Sequence, residues 1–82
     1  MLVTMVVRKL LKDAAVKLKL SGISSASLDA EVLLMEAMRK NKYDAEKISR
    51  SWLYAHDDYI LNKDTKKMFF SFIRQRLRNK PT

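Results

Sequence analysis

The 82 residues contain no cysteine and a single histidine, His56. The first absence excludes a disulfide framework and any thiolate metal site, and one histidine leaves too few ligands for a zinc cluster. Packing alone has to hold the core. Glycine and proline occur once each, far below their usual ~7% and ~5%. A chain so short of turn formers cannot supply the many tight turns of a β-sandwich or barrel. No run of ~18 apolar residues is present, and the apolar start from Met1 to Val7 is too short for a span and lacks the basic region and cleavage site of a signal peptide. The expected compartment is the cytoplasm, with no membrane partner.

What is present is enough to fold. Hydrophobic residues make up 48% and charged residues 32% of the chain, a balance of globular rather than disordered chains. The length suits one domain. Lysine and arginine number 17 against nine acids, for a net charge of +8. That charge is uneven: residues 1–20 carry five bases and one acid, residues 21–62 five bases and seven acids, and residues 63–80 seven bases and one acid. Two basic ends around a mildly acidic middle favour a polyanion or a partner protein with an acidic face.

The apolar period is helical throughout. Val3, Val7, Leu10, Leu11, Ala14 and Leu18 recur at helical spacing, which predicts a helix over about 4–19 with Thr4 as its N-cap. Gly22 follows, where a left-handed C-terminal residue is easiest for glycine. Ser24, Ser25 and Ser27 offer caps to a second helix over about 26–40, with Asp29 and Glu31 near its positive end and Ala30, Leu33, Leu34, Ala37 and Met38 on its apolar face. A third helix over about 45–56 is expected to be capped by Asp44 and to bury Ile48, Trp52 and Ala55. Asn62 is the natural cap of a last helix over about 63–78, with Phe69, Phe72 and Ile73 as its core stripe and Pro81 as its stop. No strand-like alternation and no repeat intervenes. The fold class is all-α, a single small bundle of four to five helices.

Catalysis needs converging titratable groups in a pocket, and one histidine with no glycine-rich phosphate loop and no enclosed carboxylate pair does not provide them. Asp57-Asp58 reads as a capping or solvated pair rather than a metal site, and His56 as a dipole or packing partner. Arg76 breaks the pattern, because it falls between Phe69, Phe72 and Ile73 on the apolar stripe. A guanidinium there needs a carboxylate, and Glu31 is the expected partner in a structural ion pair. Arg74 and Arg78 should lie outward. Together with Arg50 and Lys80 they are the candidate partner-binding cations.

Four motifs occur in order: Leu20-Ser21-Gly22-Ile23-Ser24-Ser25, Asp29-Ala30-Glu31-Val32-Leu33-Leu34, Ser49-Arg50-Ser51-Trp52-Leu53-Tyr54-Ala55-His56, and Phe72-Ile73-Arg74-Gln75-Arg76-Leu77-Arg78-Asn79-Lys80-Pro81. This succession resembles the N-terminal domain of the HemK (PrmC) family. Its members are release factor glutamine methyltransferases, protein-(glutamine-N5) methyltransferases that modify the glutamine of the GGQ motif in peptide chain release factors. The likeness runs from about Leu10 onward. Where the family usually has Arg-Arg-x-x-Gly-x-Pro, this chain has Gln75-Arg76-Leu77-Arg78-Asn79-Lys80-Pro81, and asparagine tolerates the left-handed geometry that glycine supplies. Lys42 to Lys47 resembles an insertion.

The resemblance implies a division of labour. The N-terminal bundle helps to grip the release factor, while a separate domain binds S-adenosylmethionine and carries an Asn-Pro-Pro-Tyr motif. Residues 1–82 contain no such motif, so this chain is expected to be the recognition domain without the catalytic one, holding no cofactor itself and partnering a release factor and its own C-terminal methyltransferase domain. The alternative is a small basic helical module for RNA or DNA, which +8 and the basic last helix favour.

Overall fold

Val7 and Arg8 begin the first helix without a side-chain cap, because two carbonyls from a distant loop take their place. In the computed structural model, which describes residues 6–41, 43 and 46–78, α1 spans Val7–Leu20. The Val7 amide donates to the Tyr59 carbonyl at 3.0 Å and the Arg8 amide to the Asp57 carbonyl at 2.8 Å. These bonds satisfy donors that every helix start leaves open. Val6 and Ile60 form an isolated antiparallel bridge beside them. The expected cap, Thr4, lies outside the described residues.

The other end of α1 closes as the sequence predicts. Ile23 N donates to Leu18 O at 3.1 Å and Gly22 N to Lys19 O at 3.0 Å, and Gly22 takes φ +88°, the left-handed region that glycine enters at least expense. The second helix, α2, spans Ala26–Lys40, matching the predicted range. Ser25 precedes it without a side-chain cap bond. Its buried residues run along one face from Ala26 and Ala30 through Leu34 to Met38.

The third helix is shorter than its sequence suggests. α3 spans only Arg50–Ala55, and Ser49 rather than Asp44 caps it, its hydroxyl accepting from the Trp52 amide at 3.1 Å. Asp44 lies outside the described residues. The core residue of α3 is Leu53, fully buried, while Ala55 is exposed and Trp52 half-buried. Ile48 is buried but sits ahead of the helix. In so short a helix the apolar period covers less than two turns, so pattern alone cannot fix its register.

The last helix, α4, spans Lys63–Arg78. Asn62 Oδ1 accepts from the Thr65 amide at 2.8 Å and from the Thr65 hydroxyl at 2.7 Å, so the predicted cap forms and also satisfies a buried hydroxyl. Phe69 and Ile73 enter the core, with Phe72 half-buried beside them. Pro81 lies outside the described residues. Four helices of this order make an all-α bundle, with no strand among the described residues. α2 packs against both α1 and α4, so its apolar face is the centre of the core. Stacked rings lock the α3–α4 connection: Trp52 lies on His56 at 4.4 Å between centroids and meets the edge of Tyr59 at 5.5 Å.

Candidate functional site

The acidic turn of α2 holds its neighbours from two sides. Glu31 is buried, with Oε1 accepting from Arg50 Nε at 2.6 Å and Oε2 from the Tyr54 hydroxyl at 2.5 Å. Asp29 Oδ2 instead accepts from Arg76 Nε on α4 at 3.0 Å, with both side chains largely covered. The expected Glu31–Arg76 pair is therefore corrected: Asp29 pairs with Arg76, and Glu31 pairs with Arg50. The reason is helical geometry. Residues two apart on a helix point about 200° apart, so Asp29 and Glu31 cannot face the same neighbour. Arg76 is on the apolar stripe and paired within the fold, as its position required.

Arg50 then takes a structural role. Its side chain stays more than half exposed, but its Nε is committed to Glu31. A hydrogen bond to the Tyr54 oxygen, followed by the Glu31 carboxylate, holds the guanidinium above its ordinary range, so it carries its charge at every pH at which the domain folds. Tyr54 gave no sequence signal of its role, since an exposed tyrosine on a six-residue helix looks like surface. Asp29 was legible only as a helix-dipole partner.

The remaining predicted cations separate clearly. Arg74 and Arg78 are exposed, one turn apart on the outer face of α4 beside Ser71 and Gln75. Neither meets a carboxylate among the described residues. Lys80 lies outside those residues. Helical spacing brings Lys67 onto the same face as Arg74 and Arg78, and the one acid of α4 is Asp64 in its first turn. By contrast Arg8–Asp57 and Lys9–Asp13, at 3.5 Å each, are solvent-exposed pairs that contribute little.

An open groove of about 340 Å³ lies among α1, α2 and α3, floored by Leu11, Ala15 and Leu53 and edged by Arg8, Glu31 and Tyr54. Its one buried carboxylate already accepts two bonds. No group of three metal-ligating side chains occurs among the described residues, and none of their helices is long and apolar enough to cross a membrane. What the surface presents is a basic face of α4 with no carboxylate partner among the described residues.

The PrmC N-terminal domain family matches residues 9–82, nearly the whole chain. The chain belongs to that family. No curated protein and no solved structure matches it. Membership associates this bundle with the PrmC methyltransferases and agrees with the four motifs, whose described residues fall at the α1–α2 turn, on α2, at α3 and, for Phe72 to Arg78, on α4.

Proposed function

We propose that this domain is the release-factor recognition module of a protein-(glutamine-N5) methyltransferase. The observation that carries the reading is the family match over residues 9–82. The basic outer face of α4 supports it, since Arg74 and Arg78, which meet no carboxylate among the described residues, suit a protein partner with acidic patches through orientation and steering. Methyl transfer to a weakly nucleophilic amide nitrogen demands accurate placement, and binding energy from contacts remote from the reacting atoms can supply it. The domain's part is that remote grip.

S-adenosylmethionine belongs, on this reading, to a separate catalytic domain, which is also the domain's second partner. The residues here do not fit the cofactor: the single glycine ends α1 instead of cradling a nucleotide, and Asn-Pro-Pro-Tyr does not occur. Translation termination places the protein in the cytoplasm.

Titrating the chain with a bacterial class 1 release factor tests the reading. Saturable binding is expected. Failure to bind, together with tight and salt-sensitive binding to generic RNA, would replace it with the basic nucleic-acid module that the +8 charge also favours.

A further inference from the structure

Between α1 and α4 the surface opens into a slot of about 390 Å³, lined by Phe70, Ile73 and Leu77 and bordered by Lys17 and Arg74. Phe70 and Leu77 are only half-buried, so the bundle leaves an apolar floor in water. Lys17 Nζ stands 5.9 Å from the centroid of the Phe70 ring, a cation–π contact of the weak, solvated kind. Neither Lys17 nor Arg74 meets a carboxylate among the described residues. Arg78 and Lys67 continue the same sign along α4.

An apolar floor between two unopposed cations is unfavourable in isolation on both counts. Apolar area stays exposed, and two cations of like charge border one slot. By contrast, Arg50 and Arg76 both have carboxylate partners. The slot leaves both requirements open, and one kind of ligand meets both. We propose that the slot receives an acidic segment of the partner protein, with one apolar side chain entering over Phe70, Ile73 and Leu77 and flanking carboxylates pairing with Lys17 and Arg74.

The chemistry of the slot favours peptide over nucleic acid. A phosphate backbone would answer the cations but not the apolar floor, and bases gain affinity by stacking on open aromatic faces, whereas Lys17 stands over the Phe70 ring. A side chain seated in a desolvated pocket, within a rim of weaker contacts that exclude water, is the usual form of a protein hot spot. This inference rests on the release-factor reading and names the contact within it.

The test is calorimetric titration of the chain with a bacterial class 1 release factor, using Lys17→Glu, Arg74→Glu, Leu77→Gln and, as a control, Lys47→Glu on the exposed turn before α3. Lys17 and Arg74 are exposed, so their reversals should leave the domain folded, with at most the small loss of a favourable helix-end charge at Lys17, even if Leu77→Gln loosens the fold. Each reversal is expected to weaken binding roughly tenfold or more, with Lys47→Glu unaffected and Arg74→Lys retaining most of the affinity. If the wild type binds and both reversals stay within about twofold of it, the slot is not the contact while the release-factor reading stands. Absence of wild-type binding sinks both. Equal weakening by all three reversals, with displacement by homopolymeric RNA, points to a diffuse polyanion surface and overturns the slot.

Discussion

Arg50 donates its Nε to Oε1 of Glu31 across 2.6 Å, tying the six-residue α3 to the central helix of the bundle. A helix this short does not hold itself in water. Its place depends on Leu53 in the core, the Ser49 cap and this bond, which Tyr54 reinforces at the second carboxylate oxygen. The arrangement is asymmetric. Glu31 is buried while Arg50 and Tyr54 are largely exposed, so removing either donor leaves part of a buried carboxylate unsatisfied.

Arg50→Ala and Tyr54→Phe should each lower the melting temperature, and the double variant should lose less than the two separate losses added together, because both donors serve one carboxylate. Trp52, the one tryptophan in the chain, sits between them in sequence, so its emission reports the same event locally. Red-shifted emission in Arg50→Ala below the global transition is expected. Wild-type melting with unshifted emission would remove the bond from any structural role.

The Arg76–Asp29 pair makes a second, independent prediction. Both side chains are more than two-thirds covered, at 29% and 22% exposure, so truncation of one partner strands the other. Arg76→Ala should cost about 1.5 to 3 kcal/mol in urea unfolding, the range for a lost hydrogen bond to a charged group. Arg76→Met, which keeps the length and gives up the charge, should lose less in an Asp29→Asn background than in the wild type. A fully stable Arg76→Ala variant would show that the pair contributes nothing.

These two pairs also mark where the sequence stops being legible. The helical class, the ranges of α2 and α4, the Gly22 turn and the Asn62 cap all follow from local rules: period, one permissive residue, one side chain reaching its own backbone. That Arg76 needs a carboxylate was also readable, because a guanidinium on an apolar stripe has few options. Which carboxylate was not, since the choice between Asp29 and Glu31 depends on the angle at which α4 and α3 flank α2. The start of α1 was hidden for the same reason, its capping carbonyls coming from Asp57 and Tyr59, some fifty residues away. Nor does local pattern show the slot at Lys17, Phe70 and Leu77, because it exists only where α1 meets α4.

Asn62 should prove more important than an ordinary cap. Replacing a capping asparagine with alanine costs about 0.5 to 2 kcal/mol, and here the same oxygen is the acceptor for the Thr65 hydroxyl, in a residue with no exposure. Asn62→Ala is therefore expected at or above the upper end of that range, measured by chemical denaturation. Asn62→Asp keeps the acceptor and adds a charge at the positive end of α4, so it should be close to wild type. Equal losses in the two variants would mean that Oδ1 is not what holds the turn.

Leu53 carries the largest single effect expected of α3. It is fully buried, and it is the one core residue that this helix contributes. Truncation of a buried leucine to alanine costs about 2 to 5 kcal/mol, against a total of about 4 to 12 kcal/mol for a domain of this length. Loss on that scale should appear as a lower midpoint in urea with an unchanged slope if α3 unfolds with the rest, and as a reduced slope if α3 detaches first. The hydrogen bonds from Val7 and Arg8 to the loop that follows α3 argue for the first outcome, since detaching α3 would also strip the start of α1 of its acceptors. Trp52 emission and far-ultraviolet dichroism should accordingly report one coincident transition in Leu53→Ala; an earlier transition in the emission alone would show α3 to be an appendage rather than part of the cooperative core.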